Sequence, residues 1–332
     1  MYRFYIENKE DLKTLIVNTS RKKNISEAVV EKDYWVTFIL DYLFNENRWK
    51  DYFTFKGGTS LSKCFGLIER FSEDIDLILD WRVLGYKDNE PWIERSNTKQ
   101  DRFNKEINEK TEKFLKDELL PVLGEDFKDL GFEYSIDLMD RQTILCKYPK
   151  IFESNYLTQN IRLEIGSLAA WTPAINIDIL PIIGETYPNV FEEMTSIRTV
   201  SAERTFWEKA TILHHEANRV SSSSMPHRYA RHFYDLYKIA NSDFKDKALS
   251  DKDLLRKVTE FKMKFYPRKW ARYEDVLNGK LRLVPDEYRF KVIEEDYKSM
   301  VEMIYGDYPS FDVLITRLRK LEKEINRWKF FI

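Results

Sequence analysis

One stretch, residues 53–80, limits the fold of this chain more than any other, because two apolar segments flank a pair of adjacent glycines. The segment before the glycines is aromatic and β-branched, as expected of a short strand. Gly57 and Gly58 permit a tight turn and a close approach of the backbone to a ligand. Thr59 or Ser60 can cap a short helix after this turn, whose free N–H groups would face an anion.

Two aspartates belong to the strand that is predicted after this short helix. Asp74 and Asp76 alternate with Ile75 and Leu77, so both carboxylates lie on one face of the strand, one pleat apart. Neighbouring carboxylates repel each other unless a cation lies between them. Mg²⁺ prefers a few carboxylates together with phosphate oxygens, and it is the cation expected here.

These residues also resemble a known family. The strings Gly57-Gly58-Thr59-Ser60 and Asp74-Ile75-Asp76 are similar to the first motif of polymerase-β-type nucleotidyltransferases. With their flanking residues they resemble the AbiEii/AbiGii toxin branch, which is known from phage-defence (abortive-infection) and toxin–antitoxin operons. The resemblance implies that NTP contacts a set of small or basic residues of this motif: Gly57, Gly58, Thr59, Ser60 and Lys63. The string is not a P-loop, because no glycine precedes Lys63 and no serine or threonine follows it.

Composition excludes several other classes of protein. The chain is 43% hydrophobic and 33% charged, as in ordinary globular proteins, and its net charge of −2 gives no overall attraction to nucleic acid. Cys64 and Cys146 form neither a metal-binding spacing nor a disulfide framework, which favours a reducing cytoplasm. The sequence shows no signal-peptide pattern and no apolar run of membrane-spanning length, so no membrane partner is expected.

Further strands are predicted at residues 132–136, 143–148, 161–166 and 174–180. The polymerase-β fold places its third metal-binding carboxylate on strands that follow the first motif. Glu164 is the first choice for this role, because its string resembles the second motif of the family, and Asp178 is the alternative. Either residue could instead be a solvated residue on an exposed face of the sheet.

The string around Lys209, residues 201–215, resembles the third AbiEii motif. A helical lysine is usually solvated, but the resemblance implies that Glu208 and Lys209 lie at the active site and that Lys209 holds nucleotide phosphates.

The string around Asp235, residues 227–237, resembles the fourth motif. Arg228, Arg231 and Asp235 are spaced so that one helical face can carry all three. An arginine–aspartate pair at this spacing often only supports its helix, but beside a triphosphate site the two arginines could bind phosphate. All four histidines lie in residues 214–232, but their order and spacing do not favour zinc.

Helices are predicted before the first motif and after the fourth. Asn24 and Glu27 have the spacing of a capping box, which indicates a helix over residues 24–44. In the last predicted helix, one face is apolar and includes Val313, and the other is basic from Arg317 to Lys329. A second basic cluster covers residues 262–272. Both clusters are either solvated faces or contacts for a nucleic-acid backbone.

Together these observations predict an α+β protein. A polymerase-β-type nucleotidyltransferase domain with a small mixed sheet is expected over residues 1–200, and a mostly helical domain over residues 201–332. The resemblance implies transfer of a nucleoside monophosphate from an NTP to an acceptor hydroxyl, with two Mg²⁺ ions held by Asp74, Asp76 and Glu164. It also implies a cognate antitoxin and favours the acceptor end of tRNA.

Two alternatives stay open. The first is a protein hydroxyl as the acceptor, since polymerase-β-type folds also AMPylate proteins. The second is a non-enzymatic NTP-binding component of a defence complex, although the paired carboxylates of Asp74 and Asp76 argue for catalysis.

Overall fold

The computed structural model describes residues 3–72, 74–154 and 157–327. The chain divides into two compact units. The first consists of Met1–Cys64 and Ser72–Val200, and the second of Phe65–Phe71 and Ser201–Ile332. The short segment Phe65–Phe71 therefore leaves the first unit between the glycine turn and the aspartate strand.

The first unit is built on a seven-stranded sheet. Its strands are β1 (Phe53–Lys56), β2 (Asp74–Leu79), β3 (Glu133–Ile136), β4 (Thr143–Lys147), β5 (Asn160–Gly166), β6 (Ala174–Ile179) and β7 (Thr195–Val200). They lie in the order β3-β4-β5-β2-β1-β7-β6. β2 pairs with β5 and β1 pairs with β7 in parallel, and the other neighbours are antiparallel. The predicted mixed sheet is confirmed, and β7 is a strand that the sequence analysis did not predict.

Strict alternation along β5 orients the polar residues of the sheet. Ile161, Leu163 and Ile165 are buried in the apolar core of the first unit. Arg162 and Glu164 lie on the opposite face and are half-buried. Because the side chains of a strand alternate between faces, burial of the three apolar residues fixes where these two charged side chains emerge.

The α-helices in the described part of the first unit are α1 (Lys9–Lys23), α2 (Glu27–Asp41), α3 (Gly57–Lys63), α4 (Asn97–Phe114), α5 (Leu120–Asp126) and α6 (Ile182–Thr186). The predicted capping box is wrong. Asn24 ends α1 in a left-handed conformation with φ of 55°, and the side chain of Ser26 caps α2 by accepting the N–H of Val29. Asparagine tolerates positive φ better than most residues, which suits it to this position.

The second unit is helical: α7 (Ala202–Ala217), α8 (Ala230–Ala240), α9 (Phe244–Ser250), α10 (Lys252–Phe265), α11 (Tyr273–Leu277), α12 (Phe290–Ser299) and α13 (Phe311–Asn326). α8 packs against α7, α12 and α13. No helix in residues 3–72, 74–154 and 157–327 combines the length and the apolar character needed to cross a lipid bilayer.

The predicted amphipathic last helix is present as α13, with two corrections. Val313 is exposed, although the apolar stripe was expected to include it. Arg317 donates to the side chain of Asn241 at 2.8 Å and also to the backbone oxygen of Ala240, so its guanidinium is held within the unit. Lys320, Lys323 and Arg327 are exposed. Lys329 lies outside the described residues.

Candidate functional site

The parallel pairing of β2 and β5 brings the predicted carboxylates together. Asp76 is directly opposite Glu164, and Asp74 is directly opposite Arg162. Parallel neighbours in register present their side chains on the same face of the sheet, so Asp74, Asp76 and Glu164 form one carboxylate cluster. Asp178 lies on the edge strand β6, which β1 and β7 separate from β2. The register therefore places Glu164, and not Asp178, beside the two aspartates of β2.

The carboxylate of Asp76 occupies the space that a side chain at position 57 would need. The φ of Gly57 is +85°, in the region that favours glycine. A Cβ atom added to Gly57 would lie 1.8 Å from Oδ2 of Asp76 and 2.9 Å from its Cβ. The glycine turn therefore leaves the space that this carboxylate occupies.

Arg162 joins the carboxylate cluster to the β3–β4 turn. Its Nε is 3.3 Å from Oε1 of Glu164 and 3.8 Å from Oδ1 of Asp74. Its Nη1 is 2.6 Å from Oδ2 of Asp137, which directly follows β3. One guanidinium thus faces three carboxylates. Neither Arg162 nor Asp137 was among the predicted site residues, because their contact depends on how β4 and β5 pair.

The pKa values of Glu164 and Asp137 are shifted in opposite directions by their surroundings. Burial raises the pKa of Glu164, and the negative charges of Asp76 and Asp74 raise it further, while Arg162 opposes them. The hydrogen bond from Arg162 holds the pKa of Asp137 below its usual range. Glu164 therefore experiences a surplus of negative charge that Arg162 only partly offsets.

Carboxylate oxygens are the ligands that Mg²⁺ prefers, so the donor atoms of this cluster suit that cation. In their present placement, no three His, Cys, Asp or Glu side chains of the described residues are grouped to hold a metal ion. Arg162 supplies positive charge beside Asp74 and Glu164. Joint coordination of a cation by the cluster thus requires its side chains to move.

The nucleotide-binding residues predicted on α3 mostly have intramolecular partners. The prediction that Thr59 or Ser60 caps this helix is wrong. The helix begins at Gly57, so both residues lie inside it. The Thr59 hydroxyl donates to the backbone oxygen of Asp74, and the Ser60 hydroxyl donates to that of Gly57 at 2.9 Å. The Lys63 ammonium forms a buried ion pair with Asp33 of α2. These bonds fix α3 beside the aspartate strand.

Asp235 of α8 is the centre of a second charged cluster, which lies in the second unit. It is fully buried and accepts two hydrogen bonds from Arg70, at 2.6 and 2.7 Å. The Lys209 ammonium of α7 is 2.7 Å from the same carboxylate. Burial opposes ionisation of Asp235, but the charges of Arg70 and Lys209 outweigh it and hold its pKa well below the usual range. Sequence reasoning did not select Arg70, whose partner is 165 residues away.

Lys209 is not on a solvated face of its helix, since it is 5% exposed. Burial lowers the pKa of Lys209, whereas the charge of Asp235 opposes that shift. Its neighbour Glu208 pairs with Arg204 at 3.0 Å.

Arg228 and Arg231 do not share a helical face, contrary to the prediction. α8 begins at Ala230, and Arg228 precedes it with φ of 61°. Arg231 is half-buried near the start of α8, and its charge acts on Lys209. The carboxylate of Asp296 accepts the backbone N–H groups of Arg228 and Ala230 at 2.8 and 2.6 Å. This long-range cap positions both arginines.

Two of the four histidines have packing roles. Nδ1 of His214 accepts the backbone N–H of Arg282 at 2.9 Å, so its proton lies on Nε2, which is 3.0 Å from the backbone oxygen of Arg272. His215 is 2.9 Å from the hydroxyl of Tyr273. These contacts connect α7 to the segments that follow α10.

Comparisons with known proteins found one matching family model and several similar solved structures. The family model described as nucleotidyl transferase AbiEii toxin, type IV toxin–antitoxin system, matches residues 39–317. The solved structure of MenT4, a nucleotidyltransferase toxin from Mycobacterium tuberculosis H37Rv, is 17% identical, with 95% of this chain and 90% of that chain covered and a TM-score of 0.52. JHP933 from Helicobacter pylori is 15% identical over 91% of this chain and 93% of that chain, with a TM-score of 0.44. No curated protein matches the chain.

Alanine at Gly57 tests the close approach of Asp76. We expect Gly57→Ala to lower the free energy of unfolding by more than Gly85→Ala, which is the matched control. Both glycines have nearly the same φ, at 85° and 86°, but no atom lies within 4 Å of a Cβ added to Gly85. Positive φ alone costs alanine about 1–2 kcal/mol, and the clash with Asp76 adds roughly 1–3 kcal/mol. Equal losses in urea titrations of the two variants would show that Asp76 does not constrain this turn.

Proposed function

Because the chain belongs to the AbiEii family of nucleotidyltransferase toxins, as its motifs indicated, we propose that it transfers a nucleoside monophosphate from an NTP to an acceptor hydroxyl and releases pyrophosphate. The observation that carries this proposal is the register of β2 and β5, which aligns Asp76 with Glu164 beneath the glycine turn. Carboxylates this close are costly unless a cation is recruited.

The proposed ligands for two Mg²⁺ ions are Asp74, Asp76 and Glu164. When bound, such ions lower the pKa of an attacking hydroxyl and neutralise a leaving pyrophosphate. Asp76 is held in place by the packing of Gly57. The backbone of Asp74 is held by the Thr59 hydroxyl. The protein therefore contributes a set of anionic oxygens whose backbone positions are fixed by β2, β5 and α3, and whose side chains would turn toward the ions on binding.

We assign the binding of phosphates to the glycine turn with Ser60, and to the basic residues of the third and fourth motifs. Two observations support Lys209 and Arg231 in this role. The positive charge of Arg231 acts on the Lys209 ammonium. The same ammonium is held by an ion pair with Asp235. A lysine held by a buried carboxylate is a fixed point charge, which suits stabilisation of charge that develops on a transferred phosphoryl group. Arg228 is a further candidate. Lys63 would contribute by anchoring α3 to Asp33.

The acceptor that we favour is RNA, specifically the acceptor end of tRNA. The exposed cations of α13 support this choice, because they offer contacts to a phosphate backbone. As type IV toxin–antitoxin systems pair a toxin with an antitoxin, we also propose a cognate antitoxin as a partner.

Substitutions that remove one carboxylate charge at nearly constant volume test the metal assignment. We expect Asp76→Asn and Glu164→Gln to reduce Mg²⁺-dependent transfer of labelled NMP by roughly two orders of magnitude or more, the scale for losing one group that stabilises developing charge. Asp178→Asn is the control, since Asp178 is exposed on the edge strand. Wild-type rates in Asp76→Asn, or a loss in Asp178→Asn that equals the loss in Glu164→Gln, would contradict the assignment.

Charge reversal on α13 tests the RNA acceptor. We expect replacement of Lys320, Lys323 and Arg327 by glutamate to weaken tRNA binding and to flatten its salt dependence, because each lost phosphate contact removes about 0.7 from the slope for single strands. NTP affinity should not change. Reversal of three exposed cations on α4, at Lys99, Arg102 and Lys105, gives the same change in net charge. If both triple variants bind tRNA alike across a salt series, α13 is a solvated face.

A further inference from the structure

The proposed function does not use Arg162, although the guanidinium of this residue faces two carboxylates of the cluster. Its Nε faces Glu164 at 3.3 Å and Asp74 at 3.8 Å. These are two of the three residues proposed to bind Mg²⁺. A guanidinium and a divalent cation carry the same sign of charge, so they cannot both approach these oxygens closely without repulsion. Arg162 and the cation therefore compete.

The second partner of Arg162 lies away from the β2 carboxylates. Nη1 of Arg162 is 2.6 Å from Oδ2 of Asp137, a shorter distance than either contact of Nε. Asp137 is itself held in the β3–β4 turn, because its Oδ1 accepts the backbone N–H of Met139 at 2.8 Å. The bond to Asp137 uses a different nitrogen from the one that faces Glu164. Arg162 can thus keep Asp137 while it gives up Glu164.

We propose that Arg162 is a positioning residue that competes with the divalent cation for Asp74 and Glu164, and that Asp137 restrains Arg162 from occupying them. The affinity of the site for the cation is then set jointly by Arg162 and Asp137. This inference rests on the proposed function, because it concerns the same metal-binding carboxylates.

The two substitutions are expected to act in opposite directions. Arg162→Gln removes the competitor and leaves the carboxylates with more unbalanced negative charge, so the cation should bind more tightly. Asp137→Asn releases Arg162 toward Glu164 and Asp74, so the cation should bind more weakly. An opposite charge at such distances shifts the pKa of a carboxylate by about 1–3 units, and the lower end of this scale makes each change in affinity about tenfold or more.

The experiment measures Mn²⁺ binding to the full chain by electron paramagnetic resonance, for the wild type, both single variants and the double variant. If Asp137 acts through Arg162, the double variant should bind Mn²⁺ as tightly as Arg162→Gln alone. Arg82→Gln is the control, because Arg82 pairs with Asp80 and Asp88 elsewhere in the same unit. It should leave the affinity unchanged.

Several outcomes would overturn the inference. Unchanged or weaker Mn²⁺ binding in Arg162→Gln would show that Arg162 does not compete. Additive effects in the double variant would show that the two residues act only through independent charges. A shift in the same direction in both single variants, with a matching loss of thermal stability, would assign them a purely structural role. If the wild type binds Mn²⁺ no better than Asp76→Asn does, the proposed metal site also fails, which separates the two failures.

Discussion

Burial of the apolar face of two adjacent parallel strands, β2 and β5, is the constraint that holds the carboxylates of the first unit together against their mutual repulsion. The apolar residues of β2 and β5 are buried, and this burial forces the alternate residues to emerge together on the other face. Hydrophobic burial is worth roughly 1.5–3 kcal/mol for each large apolar side chain. Several such residues can therefore hold carboxylates side by side that would otherwise separate.

In the second unit, the central carboxylate is buried and paired with two cations. Asp235 is buried between Arg70 and Lys209, so every hydrogen bond within this group is shielded from water. Removal of one partner from a buried ion pair typically lowers the free energy of unfolding by about 3–5 kcal/mol. The three side chains are therefore held together in the folded protein. The residues of the third and fourth motifs thus owe their positions to a local ion-pair network that includes the distant Arg70.

Local rules predicted the parts of the site that depend on one strand or one turn. The alternation of Asp74 and Asp76 and the need for glycine at position 57 follow from backbone geometry, and the strand around Glu164 follows from its alternating pattern. Contacts that depend on which strands pair, such as Arg162 with Asp137, have no signal in the sequence. The same is true of α13, where Arg317 reaches Asn241 instead of solvent. At Asn24 two local signals competed, and the left-handed helix end prevailed over the cap.

In the reaction that we propose, the chain transfers the α-phosphoryl group of an NTP together with its nucleoside. The most direct measurement incubates the protein with total RNA and Mg²⁺, using NTPs labelled with ³²P at either the α or the γ position. We expect label from the α position to enter a product that ribonuclease destroys, whereas label from the γ position is released as pyrophosphate. Incorporation of label from the γ position, or absence of the α label from both RNA and protein, would contradict this transfer.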